Sequence, residues 1–181
     1  MTMNVIVQEI PGDDRRFPPA LAAVAEAGFD VGDDGEGVDF EPFDAFESAE
    51  ETTDWLRHWT GNHELDGDAF RFFGMDGTGG RAAIWCARPG RPLAEQPVVF
   101  LGSEGECGVV AGDLSGFLWV LADGLGPVEA VVFDHDAHPD PALTALAERY
   151  ATTPRRTAEQ IIEEAEAEFP TFCEDIDALC R

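Results

Sequence analysis

The sequence predicts an α+β domain in which a strand meander is set between helices, and three observations lead there. A capping box opens an amphipathic helix just after Ser48. The stretch from Ala69 to Gly112 breaks into short apolar runs punctuated by Gly and Pro, as strands require. From Asp113 onward, helical periodicity returns and persists to the end of the chain. With 44% hydrophobic residues, 13 Phe and 4 Trp in 181 residues, the chain can fill a core of its own.

Taken in order, Asn4 to Ile10 read as an opening strand closed by Pro11-Gly12. A short helix follows, with Pro18 and Pro19 at its start, Leu21, Val24 and Ala25 on one face, and Gly28 in the C-terminal capping position. Residues Asp30 to Asp39 hold three Gly and five acidic side chains, the composition of a surface loop. In Ser48-Ala49-Glu50-Glu51, the serine can cap the backbone while Glu51 reaches back to it. Thr52, Trp55, Leu56 and Trp59 then share one helical face, and Gly61-Asn62 ends the helix. The tryptophans of this helix, with Trp85, are expected in the core.

Strands are predicted at Phe70–Gly74, Ala82–Ala87, Val98–Gly102 and Cys107–Ala111. The connections Met75 to Gly80 and Ser103 to Glu106 are short, so an antiparallel meander is the simplest arrangement. Asp113 caps a helix carrying Leu114, Phe117, Leu118 and Leu121, which stops at Gly124. Ala130–Phe133 reads as a short strand or a packed extended segment. Asp140-Pro141 starts a helix with Leu143, Leu146, Ala147 and Tyr150 inward. A second capping box, Thr157 to Gln160, opens a helix with Ala158, Ile161, Ile162, Ala165 and Phe169 on one side. Pro170 breaks it, and a last turn or two carries Phe172, Ile176 and Leu179. We divide the chain into a domain over 1–150 and a C-terminal helical extension over 151–181 packed on it, with the boundary at Thr152–Arg156.

Eleven basic residues, all arginine, stand against 37 acidic ones, for a net charge of −26. Such a charge repels phosphate backbones, so nucleic-acid binding is not expected. It favours basic partners and also keeps a protein soluble. Cys86, Cys107, Cys173 and Cys180 form no CxxC pair and no disulfide framework. Cys86 and Cys107 sit in apolar runs and read as buried thiols; Cys173 and Cys180 read as one face of a helix, two turns apart. The N-terminus lacks the features of a signal peptide, and no window is long and apolar enough for a membrane span, so a cytoplasmic location and no membrane partner are expected.

Three constellations could carry chemistry, and each fails on physical grounds. The loop Phe73 to Gly80 is glycine-rich, but a phosphate-binding loop needs a lysine and a following helix, and this chain has no lysine. Asp134-His135-Asp136-Ala137-His138 has metal-ligand residue types, yet Pro139 disfavours the helix that would align the two histidines. Ser103 stands beside Gly102 without a GxSxG frame, and His58 and His63 have no nucleophile signalled nearby. We therefore expect no catalytic residues, no metal and no cofactor, and hence no enzyme.

An ordered series of motifs runs through residues 40–126. It begins with Phe40-Glu41-Pro42-Phe43 and the Trp55-to-Trp59 helix ending in Thr60-Gly61-Asn62. Next come Phe72 to Gly80 and Ala83-Ile84-Trp85. The series closes with Gln96 to Gly105, Val109-Val110-Ala111, and Asp113-Leu114 to Phe117-Leu118. This series resembles the SUKH superfamily of cell-wall-synthesis regulators and their bacterial relatives. The resemblance implies a mixed, largely antiparallel sheet flanked by helices, and a function of binding rather than catalysis. Many bacterial members are immunity proteins that neutralise a toxin domain, often a nuclease. The expected partner is thus a protein, such as a basic, nuclease-like toxin domain. The alternative is a cytoplasmic adaptor or regulatory module with no toxin involved. The loops at the strand ends are the expected contact surface, represented by Asp76, Thr78 and Glu104.

Overall fold

Four long apolar segments and one short one pair into a single antiparallel sheet in a computed structural model that describes residues 15–33, 35, 37–132 and 137–181. The strands are β1 (Glu41–Pro42), β2 (Phe70–Met75), β3 (Arg81–Trp85), β4 (Val98–Leu101) and β5 (Cys107–Ala111), neighbours in that same order. Each pairs antiparallel with the next, so sequence order and spatial order coincide. The α+β reading holds, and the predicted strands lie where their apolar runs placed them. β1 was not foreseen: Glu41 sits opposite Met75 and Pro42 opposite Gly74. A proline is tolerated there because β1 is an edge strand. The predicted strand over 4–10 lies outside the described residues.

Seven helices surround the sheet among the described residues: α1 (Pro19–Ala27), α2 (Ala49–Thr60), α3 (Leu114–Ala122), α4 (Pro127–Val131), α5 (Pro141–Tyr150), α6 (Ala158–Glu168) and α7 (Phe172–Asp177). Side chains alternate across a strand, and here both faces are buried. Ala82, Ile84, Val98, Phe100 and Val110 meet α1, α3 and α5 in one cluster. Phe70, Phe72, Ala83, Val99, Leu101 and Val109 meet Leu56 of α2 and Phe172 and Ile176 of α7 in the other. That explains why β4 reads as an unbroken apolar run rather than an alternation.

α3 is buried along its whole length and forms the centre of the first layer. Its Phe117 is fully buried, with edge-on contacts to Phe73 and Phe40 at ring separations of 5.4 and 6.3 Å. Burying a side chain of this size stabilises by roughly 1.5–3 kcal/mol. α6 gives Ala158, Ile161 and Ile162 to the first cluster and Ala165 to the second, lying against β5.

Two local expectations are corrected. The segment read as extended at Ala130–Phe133 instead ends α4. Pro127 presets the first helical turn, and the Glu129 carboxylate accepts the Gly126 amide at 3.0 Å. Phe133 lies outside the described residues. Cys180 does not share a helix with Cys173, because α7 stops at Asp177. The chain end is drawn onto α2 instead: the Asn62 side-chain amide donates to the Leu179 carbonyl at 2.9 Å, and the Arg181 amide donates to Thr60.

Candidate functional site

In an antiparallel meander the β2–β3 and β4–β5 connections must leave the sheet at one end. Arg81 lies opposite Leu101, which puts the two tips side by side. The tip at 76–80 turns on itself because Asp76 Oδ1 accepts three bonds. These come from the Thr78 amide at 3.0 Å, the Thr78 hydroxyl at 2.8 Å and the Gly80 amide at 2.8 Å. Gly79 adopts a φ of 94°, a region that favours glycine. At Gly80 a Cβ would meet the Phe100 ring at 2.7 Å, so only glycine fits against β4. Ser103 of the neighbouring tip donates to the Thr78 hydroxyl at 2.8 Å, which ties the two tips together.

All three predicted contact residues, Asp76, Thr78 and Glu104, line one cavity of about 350 Å³ at this end of the sheet. Two further elements complete it. Asp39, after the acidic loop, accepts the Gly77 amide at 2.8 Å and donates its own amide to Glu129 of α4 at 2.7 Å. Glu106 accepts the Glu104 amide at 3.2 Å. Among the described residues the walls therefore carry five carboxylates, from Asp39, Asp76, Glu104, Glu106 and Glu129, and no basic side chain.

The apolar part of the wall is also particular. Val31 and Val132, 43% and 38% exposed, are the exposed large hydrophobic residues among those described, and both line this cavity with Val128. Exposed apolar groups beside carboxylates suit a ligand that is itself part apolar and part cationic. Among the described residues, no cluster of three or more Asp, Glu, His or Cys is arranged to hold a metal ion.

The other groups weighed from the sequence lie elsewhere. His58, His63 and His138 are exposed, and Asp134 to Asp136 lie outside the described residues. Trp55 and Trp59 are half-buried and stacked at 5.7 Å, with the Arg81 guanidinium 5.5 Å over Trp55. Arg81 also pairs with Glu47 at 3.0 Å. Burial raises the Glu47 pKa above its ordinary value, although the Arg81 charge opposes the shift. Trp85 packs on Phe169 and Phe172. Cys86 and Cys107 are half-buried, and the Cys107 thiol hydrogen-bonds to that of Cys173.

Asp39, Glu106, Glu129, Val31 and Val132 were not singled out from the sequence. Asp39 carried one usable sign, its place at the end of a Gly- and acid-rich loop. Glu129 carried another, standing three residues after Gly126 as the third residue of a helix. The valines carried none, since exposure is decided by the fold.

Fold and cavity together define an acidic α+β domain that presents carboxylates and apolar groups on one concave surface. No protein-family model, curated protein or solved structure matches the chain.

Proposed function

We propose that this chain is a non-enzymatic, SUKH-like protein-binding domain that acts as an immunity-type inhibitor of a basic, nuclease-like toxin domain. The observation that carries the reading is the cavity at the hairpin tips, where five carboxylates surround exposed valines in a chain of net charge −26. A nuclease holds its substrate through basic groups that neutralise phosphates. Carboxylates presented at the same spacing would occupy those groups and exclude the nucleic acid. The remaining negative charge would steer encounter and raise the association rate. Valine contacts, desolvated at the centre, would slow dissociation.

Mixing the purified chain with basic nuclease toxin domains, including any encoded beside its gene, tests the reading. A 1:1 complex that weakens steeply between low and physiological salt, with loss of nuclease activity, is the expected result. Toxin domains that all stay fully active and unbound would refute it.

A further inference from the structure

We infer that the cavity between the hairpin tips is a receptor for one arginine side chain of a protein partner. This rests on the protein-binding reading and names the group the surface takes. Asp76 is 5% exposed, so it is held almost wholly inside the protein, yet it lines the cavity. Its hydrogen bonds all fall on Oδ1, and among the described residues no donor is bonded to Oδ2. Nor is Oδ2 sealed from solvent among the unsatisfied buried atoms. Open to a cavity, it presents an acceptor fixed in place before any ligand arrives.

The chemistry of the wall selects the occupant. A metal ion would need three or more converging ligands, and no such group is formed among the described residues. A planar guanidinium carries five donors, so it can bond Asp76 and still offer donors to another carboxylate of the wall. It is also weakly hydrated and tolerates the apolar wall better than an ammonium does. Val31, Val128 and Val132 supply the surface on which its methylene stem packs.

N-acetyl-arginine amide, titrated into the isotope-labelled chain and followed by amide NMR, is the test. Saturable shifts are expected at Gly77, Thr78, Glu104 and Val132, with the neutral citrulline analogue inert and the lysine analogue weaker. Asp76→Asn keeps a carbonyl-type oxygen for the three loop donors but places an amide donor at the second position. It is expected to weaken arginine binding about tenfold or more. Glu174→Gln, an equal charge change on α7, is expected to leave binding unchanged. Shifts scattered over the acidic surface, equal binding of the lysine analogue, or equal loss in Asp76→Asn and Glu174→Gln would overturn the inference. Should Asp76→Asn fail to fold, the exposed Glu104→Gln gives the same comparison. The two readings fail separately. A toxin domain held equally well by wild type and both cavity variants removes the arginine site and leaves the inhibitor. Arginine amide bound in the cavity with no toxin captured does the reverse.

Discussion

Asp76 and Glu104 are indistinguishable as letters in an acidic sequence, yet the fold gives them opposite circumstances. Asp76 is buried and shapes its own loop through one oxygen, whereas Glu104 is exposed at the rim. The cysteines divide in the same way. Burial first, and then the hydrogen bond with Cys173, pushes the Cys107 thiol well above its ordinary pKa, while Cys180 is exposed at the chain end. Only the thiolate reacts with alkylating agents. At pH 8, iodoacetamide is therefore expected to label Cys180 at least ~10-fold faster than Cys107, read by mass spectrometry of digested protein. Equal rates would mean that β5 and α7 separate readily.

At the scale of elements, α2 shows how local chemistry makes a boundary. Ser48 Oγ accepts the Glu51 amide at 3.2 Å, and Glu51 Oε2 accepts the Ser48 amide at 3.0 Å. Gly61 closes the other end with a φ of 68°. Ser48→Ala is expected to cost about 1 kcal/mol in denaturant unfolding at neutral pH. The backbone bond from Ser48, then its hydroxyl, lowers the Glu51 pKa below its ordinary value of 4.5. A lowered carboxyl pKa stabilises the folded state above the unfolded value, and that stabilisation disappears as pH falls through the folded one. The advantage of wild type over Glu51→Gln should thus be full above pH 4.5 and vanish below it. An advantage that persists at pH 2 would show that ionisation of Glu51 contributes nothing. α6 illustrates the opposite dependence. Its capping box is local, but its burial relies on β5 and α3, 50 residues away in places.

For the whole molecule, charge is the dominant variable. Ion pairs such as Arg81 with Glu47 and Arg155 with Asp123 form, but 11 arginines are too few to pair one to one with 37 acidic side chains. Their mutual repulsion opposes compactness. Raising the salt from about 0.01 to 0.15 M shortens the screening length from roughly 30 to 8 Å. Tm is expected to rise over that range, by scanning calorimetry at neutral pH. A flat or falling Tm would mean that the repulsion persists equally in the unfolded chain.

Much of the fold was legible in the sequence. The capping boxes, the glycine stops and the apolar runs act over a few residues, so α2, α3, α5, α6 and the strands β2 to β5 could be read directly. α4 was missed because a five-residue helix has too few positions for a period to emerge. Arg71 shows what a strand pattern leaves undecided: it stands between two phenylalanines of β2, yet it is 2% exposed and donates to the Asp68 and Phe70 carbonyls. Of the candidate site, the sequence pointed to the two hairpin tips and to Asp76, Thr78 and Glu104, but not to the acidic loop and α4 that complete the cavity.

By itself, then, the sequence determined the α+β class, the local boundaries and the strongly acidic surface, because propensity, capping and net charge need no distant neighbour. The tertiary structure alone decided which helices cover each sheet face, that Asn62 holds the chain end at Leu179, and that Asp39, Asp76, Glu104 and Glu129 surround one cavity. Those outcomes depend on which segments pack together across long sequence separations. Burial and chain topology choose such pairings, and no local pattern of residues encodes them.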